Sequence, residues 1–478
     1  MALKFHSVEE ITKIHTRLTE TFQSGVTVPL AYRRKQLLQL ARLVQENAEA
    51  IMGSLKADLG RHRLEAALPE VGPMVAGALL SAQKLEEWTK PEKPEVEEWR
   101  SSWDTTIYKA PKGVVVNITP WNYPWVISIL PLAGAIAAGC TCVIKPSEHS
   151  PNVSQLMADL VARYLDPNAY AVILGAIPET THILSLKWDH IFYTGSTSVG
   201  RVVAAAAAKN ITPVTLELGG KSPVVVDGDN TDLEIAAKRI LWGKQQNAGQ
   251  ICVAPDHIYV ARKHQDALVA AFKKVYADFW PHSKGALDSA SEISHMVNDS
   301  HYKRIQGLLS NTKGSIAVGG GSTGEILRIE PTIVKDVGLQ DPLMGEEIFG
   351  PVLPIVPVED IEEAITLIQR GPTPLVLYVF TDSEVTKHKF VHRTQSGQLI
   401  LNDTFAQLGV YEIPFGGQGD SGYGSYLGKH SFDAFTQRRG FINVPLAAEP
   451  YMAFRYPPYT EEAFQALTLQ AQMKIPEA

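Results

Sequence analysis

The chain has three cysteines in 478 residues, and Cys252 stands apart from the other two, in Gly249-Gln250-Ile251-Cys252-Val253-Ala254-Pro255. It follows the polar run 245–250 and precedes an apolar pair and a proline, so its thiol lies at a loop edge that a substrate can reach. A nucleophilic thiol must be partly ionised by its surroundings. A lone cysteine is more often a small buried hydrophobe, so the chemistry depends on what else the chain offers it. Glu217-Leu218-Gly219-Gly220-Lys221 ends a strand pattern with a carboxylate suited to a general base and with glycines that permit close backbone approach. Pro120-Trp121-Asn122-Tyr123-Pro124 puts an amide donor in a rigid turn, although asparagine also favours turns for local reasons. Thr194-Gly195-Ser196-Thr197-Ser198-Val199-Gly200 follows a strand and opens a helix, so its N–H groups could cradle a phosphate. It is not the GxGxxG fingerprint, and an ordinary βα turn explains it equally well. Lys145-Pro146-Ser147-Glu148 offers a cation and a carboxylate past a strand end, or simply a solvated loop. Glu346-Glu347-Ile348-Phe349-Gly350-Pro351 reads on its own as a helix-to-strand junction.

Alternating elements would position these residues. Residues 8–60 are helical, with Leu37, Leu40, Ala41, Val44, Ala48, Ile51 and Leu55 at helical spacing, and 72–87 form another helix. The charged, proline-bearing stretch 90–100 is a linker or surface loop, followed by strand-like 101–109. Strands are predicted at 114–118, 141–145, 171–174, 190–193, 214–217 and 223–226, with helices at 153–164 and 199–208. A second alternating series runs from 231 to 400, with helices at 233–246 and 264–279 and strands at 375–380 and 398–401. Such alternation means parallel pairing with right-handed crossovers, and ligands bound at the carboxyl ends of the strands. Residues 113–144 carry no charge and are long enough to span a bilayer, but Pro120, Pro124 and Pro131 interrupt them. They read as strand, loop, a buried helix at 129–138, and strand.

Composition narrows the class. The length allows about three domains, and a net charge of −7 with no Lys/Arg block argues against nucleic acid. Three cysteines without a CxxC pair fit a reducing, cytoplasmic setting, and the first residues lack the apolar core of a signal peptide. Cys140 and Cys142 are predicted in a strand core. His388 and His392 are four apart, but no Glu follows His388 as in HExxH, and Lys387 and Lys389 make this a solvated face, so no metal is expected. The loosely amphipathic segment 463–473 could be a lid, a packing helix or a weak membrane contact; two basic and four acidic residues over 446–478 exclude a polybasic anchor.

In order, PWNYP, IKPSE, TGSTSVG, ELGGKSP, GQIC, EEIFGP and PFGG resemble the NAD(P)-dependent aldehyde dehydrogenase superfamily, in register from Lys109 to about Gly440. The short N-terminus, PWNYPW and the tail Phe454-Arg455-Tyr456-Pro457-Pro458-Tyr459 resemble its class 3, fatty-aldehyde branch. The resemblance implies an α/β fold of two doubly wound, Rossmann-like parallel-sheet domains with a small β oligomerisation arm. It places the cofactor domain at 1–87 and 110–217, the catalytic domain at 218–417, the arm at 88–109 and 418–445, and a tail at 446–478. It makes Cys252 the nucleophile, Glu217 the base that hydrolyses the thioester, and Asn122 with the Cys252 N–H the oxyanion hole. Thr119, Trp121, Lys145, Glu148, Gly195, Ser196, Gly219, Glu347 and Phe349 would hold NAD, with NADP as the second option. The implied substrate is a medium- or long-chain or bulky apolar aldehyde, and the implied assembly a homodimer. No membrane span is expected, though peripheral contact is compatible. A CoA-acylating enzyme is disfavoured by the carboxylate at Glu217, and a catalytically silent structural protein by the presence of nucleophile, base and amide together.

Overall fold

The computed structural model describes residues 3–468 and 473–477. By its internal contacts the chain forms a main unit, residues 1–88 and 111–436, and a second unit, 89–110 and 437–478.

The main unit is built on two sheets. In the first the order is Gly422–Tyr423, Val214–Leu218, His190–Gly195, Val114–Ile118, Thr141–Lys145 and Tyr170–Val172. All pair in parallel except Gly422–Tyr423, which runs antiparallel to Val214–Leu218. The second has seven strands, Gln398–Leu401, Val376–Phe380, Pro223–Val226, His257–Ala261, Val352–Val358, Thr332–Lys335 and Ser315–Val318. Only Ser315–Val318 is antiparallel there. Val114–Ile118 and Thr141–Lys145 are buried along their whole length, which explains their unbroken apolar sequence.

The charge-free stretch forms a buried helix, but one longer than its sequence predicts. It runs Pro124–Ala138 rather than 129–138, because the turn containing Asn122 feeds straight into Pro124 at the first helical position. Helix Gly428–Ala434 packs on it, and a side chain at Gly134 would press on Ser431. By internal contacts residues 418–436 group with the main unit. The helical region 8–60 resolves into Val8–Gln23, Leu30–Glu46 and Ala48–Leu59.

In the second unit, strands Thr106–Pro111 and Thr436–Phe441 pair with each other. Arg438 grips Glu92 through two bonds of 3.0 and 2.6 Å, and Lys109 donates to the same carboxylate. Trp99 and Trp103 meet edge to face at 5.2 Å. Of the segment 463–473, residues up to Thr468 close the helix Glu461–Thr468, and 469–472 lie outside the described residues. Among the described residues no helix is long and apolar enough to cross a membrane.

Candidate active site

The register of the first sheet brings the predicted positions Lys145 and Glu217 to one edge. Ile118 lies opposite Lys145 and Tyr193, Thr194 opposite Glu217, and Gly422 opposite Glu217. These are carboxyl ends of parallel strands, where such sheets bind ligands.

Cys252 reaches this edge on a strained loop. Helix Leu233–Gln245 ends, and Asn247, Ala248 and Gly249 follow with φ of 48°, 53° and 72°. Two non-glycine residues in the left-handed region cost about 1–3 kcal/mol each, so something must hold them. Gly249 cannot be otherwise, since a Cβ there would sit 2.2 Å from the Gly350 carbonyl oxygen. The Glu65 carboxylate accepts the Asn247 N–H. The Asn247 amide donates to the carbonyls of Asn122 (3.1 Å) and Gln250 (3.2 Å). The Gln250 side chain donates to Asn247 O (2.9 Å) and His295 O (3.0 Å) and accepts from Val297 N–H (3.0 Å). Beyond the cysteine, Tyr378 donates to Val253 O at 2.7 Å. The Asn122 side-chain amide donates one hydrogen to Gln250 O at 3.1 Å, which fixes the direction of the other.

Two cavities meet at this loop, and Asn122, Thr194, Glu217 and Cys252 line both. One, of about 290 Å³, is walled by Val126, Leu130, Trp242, Phe405, Leu408 and Tyr426 among others. The other, of about 410 Å³, carries the larger share of polar groups and includes Trp121, Gly195, Ser196, Gly219, Glu347 and Phe349. His301, Arg304 and Glu346 also face it.

Glu217 is buried at the seam with both carboxylate oxygens unpartnered, and burial raises its pKa well above the usual carboxylate range. The Thr194 hydroxyl beside it is also buried without a partner. Burial pushes the Cys252 thiol up to about 12, with Glu347 and then Glu217 adding to the effect. The surroundings expected to ionise Cys252 are thus not supplied by this chain's own side chains, which place acids rather than cations against it.

The polar cavity fits a phosphorylated dinucleotide. Ser196 caps the thirteen-residue helix Thr197–Lys209, accepting from Val199 N–H at 3.4 Å, and the helix N-terminus faces the cavity. The orphaned Thr194 hydroxyl needs an outside partner. Gly219 lets Glu347 come close, since a Cβ there would lie 2.1 Å from Glu347 Oε2 and would displace that carboxylate. The segment carrying Glu347 is braced from below. Lys221 donates to Asp256 (2.5 Å) and to the carbonyls of Leu343 and Glu346 (2.9 Å each), and Asp256 accepts Ile348 N–H at 2.8 Å. Burial, then the Asp256 charge, raises Glu347 to about 8.

Three predicted cofactor contacts lie outside this cavity's lining. Lys145 donates to Glu148 at 3.1 Å, so cation and carboxylate answer each other. The Thr119 hydroxyl is shared with Ser128 at 2.8 Å inside the protein, and its N–H donates to the Lys145 carbonyl at 3.0 Å. Sequence reasoning missed Thr194, His301 and Arg304, and missed Glu65 and Asn247, which hold the cysteine loop. Thr194 opens the TGSTSVG motif and could have been found; Glu65 has no motif around it.

The sequence pattern of the aldehyde dehydrogenase family matches residues 4–440. The dimeric NADP-preferring aldehyde dehydrogenase of Rattus norvegicus is 42% identical over 442 residues, 92% of this chain and 96% of that one. Aldehyde dehydrogenase family 3 member H1 of Arabidopsis thaliana is 40% identical over 98% of this chain and 96% of its own. Family 3 member A2 of Mus musculus is 40% identical over 93% and 91%. Among solved structures, the substrate-bound state of Staphylococcus aureus AldH superposes with a TM-score of 0.92 at 36% identity, covering 96% of this chain and 99% of that one. A match along nearly the whole chain, on the fold and seam just described, shows that this chain belongs to the aldehyde dehydrogenase family, as an enzyme that oxidises aldehydes with NAD or NADP.

Proposed function

We propose that the chain oxidises medium- to long-chain or bulky apolar aldehydes to carboxylic acids, with Cys252 as nucleophile, Asn122 as oxyanion donor and Glu217 as the hydrolytic base. The observation that carries this reading is the meeting of an apolar and a polar cavity at those three residues. The aldehyde's tail occupies the apolar side, which places its carbonyl carbon at the thiol. The thiol releases its proton to water in the cavity as the carbon–sulfur bond forms, and the oxygen, now negative, accepts hydrogen bonds from the Asn122 amide and the Cys252 N–H. A nicotinamide cofactor bound on the side of Gly195, Ser196, Gly219 and Glu347 would supply the hydride acceptor for that carbon, and Cys252 would then hold the acyl group as a thioester. Glu217 then removes a proton from water as the water attacks the thioester carbon, and as the carbon–sulfur bond breaks Glu217 returns that proton to the sulfur, releasing the acid. A carboxylate whose pKa is raised by burial is a stronger base near neutral pH than an exposed one.

On the polar side Gly195, Ser196, Gly219, Glu347, Phe349 and Trp121 hold the cofactor, with Lys145, Glu148 and the Thr119 backbone at its adenosine end. Glu148 favours NAD by repelling a 2′-phosphate, and Lys145 leaves NADP usable. The second unit and the dimeric state named for the rat relative support a homodimer. A cytoplasmic location completes the proposal; peripheral membrane contact is compatible with it, and the tail reads rather as a lid or packing helix. The test is NADH formation from aldehydes of two to sixteen carbons, with and without CoA. Acid produced without CoA supports the reading. Turnover only when CoA is present would make the enzyme acylating, and no turnover with any aldehyde would make it a structural member of the family.

A further inference from the structure

Two charges lie entirely inside the main unit without touching either cavity. Arg61 and Glu70 are both 0% exposed and bonded to each other. Removing two ions from water costs several kcal/mol each, and a well-packed apolar pair is often at least as stabilising. The Arg61 Nε–H is also left without a partner. Stability therefore gives little reason for the pair, and its other bonds give a better one.

Arg61 donates from its second amino group to the main-chain carbonyl of Asn122, and its guanidinium lies over the Tyr123 ring, 4.2 Å from the centroid. The second oxygen of Glu70 accepts the N–H groups of Trp125 (2.9 Å) and Val126 (3.0 Å), in the first turn of helix Pro124–Ala138. The pair thus grips the short turn 122–126 at both ends. The carbonyl that Arg61 holds is the one to which the Asn247 amide also donates, at 3.1 Å. Asn247 and the Asn122 side chain then converge on Gln250 O, two residues before Cys252. A single continuous path of hydrogen bonds runs Glu70, Arg61, Asn122, Gln250 and on to the nucleophile's loop.

We propose that the buried Arg61–Glu70 pair is a positioning device, fixing the Asn122 amide relative to the Cys252 loop so that an oxyanion donor is in place before substrate arrives. It acts through Asn122 and touches no reacting atom. The planar fork of arginine is needed because two acceptors, the Glu70 carboxylate and the Asn122 carbonyl, are held at once; a lysine would have to satisfy them from one nitrogen. The inference rests on the proposed role of Asn122, since a precisely placed amide matters only if it receives the oxyanion.

The experiment compares Asn122→Ala, Glu217→Gln, Arg61→Lys and the double variant Arg61→Met/Glu70→Leu, each checked for thermal midpoint and NAD affinity. The readouts are the rate of the first NADH burst and the aldehyde KM. Both Arg61 variants should slow the burst, the double variant by about tenfold or more and Arg61→Lys by less, with NAD affinity and aldehyde KM within about threefold of the parent. Glu217→Gln should leave the burst rate intact, which separates positioning of the first step from the hydrolytic one. A folded double variant, or a folded Arg61→Lys, with an unchanged burst overturns the inference. Failure of both to fold also overturns it, because the pair would then hold the fold rather than the site. If Asn122→Ala itself leaves the burst unchanged, the reading of Asn122 fails first.

Discussion

The two cavities that share Cys252 are organised on opposite principles. The apolar side is made by shape: Val126, Leu130, Trp242 and Tyr426 offer contact area rather than directed bonds. The polar side is made by unfinished business, with a thirteen-residue helix pointing its N-terminus at the cavity, an orphaned Thr194 hydroxyl, and Glu347 raised to about 8 by burial. The seam between them is neither. Asn122 and the Cys252 loop are fixed by a dense set of hydrogen bonds, while Glu217 has none. Substrate choice should therefore follow contact area on one side, cofactor choice should follow charge on the other, and the rate should follow the seam.

That division can be broken at each part. At the seam, Asn122→Ala should slow hydride transfer by about a hundredfold to a thousandfold, equally for short and long aldehydes, as read from the burst rate. A loss confined to long chains would move Asn122 into the apolar wall. On the apolar side, lengthening the aldehyde from about two to ten carbons should raise kcat/KM by about tenfold or more, since each buried methylene contributes up to about 0.8 kcal/mol. A flat profile would mean that the cavity does not receive the tail.

How far the sequence reached follows the same division. The strands at Val114–Ile118 and Thr141–Lys145 were legible because a strand buried on both faces needs an unbroken apolar run. Cys252, Glu217 and Asn122 were legible because each sits in a short motif at a strand or loop end. The apolar walls were not, because Leu68, Trp242 and Tyr426 come from distant segments and look like any core residue in sequence. Arg61 and Glu70 were equally hidden, since nothing in a helical stretch distinguishes a buried charge from a solvated one. The packing of helix Gly428–Ala434 on Pro124–Ala138 was not legible either, because the approach of Ser431 to Gly134 is long-range.

Smaller effects are expected on the polar side. Glu148→Ser should lower the KM for NADP by a few-fold relative to that for NAD, by removing a charge that opposes the 2′-phosphate. Equal changes for both cofactors would mean that Glu148 does not face the ribose. Glu347 should also make stability depend on pH. An unfolded glutamate loses its proton near pH 4.3, whereas folded Glu347 keeps it to about 8. Between those values the folded state binds more protons, so this contribution is present at low pH and is lost as pH rises through the window. Glu347→Gln should therefore raise the thermal midpoint of the cofactor-free protein more at pH 8.5 than at pH 5.5, and an equal change at both would contradict the assignment.

The central claim is that Glu217, unpartnered at the seam, works after hydride transfer and not before it. Glu217→Gln tests this in a single stopped-flow trace followed by intact-mass analysis. The account predicts one NADH per site at close to the parent rate, then turnover slowed by about a hundredfold or more, with an acyl adduct held on Cys252. Cys252→Ser should give neither burst nor adduct. A folded Glu217→Gln enzyme that binds NAD but shows no burst would contradict the account, and would assign Glu217 to activation of a thiol that burial holds at about 12.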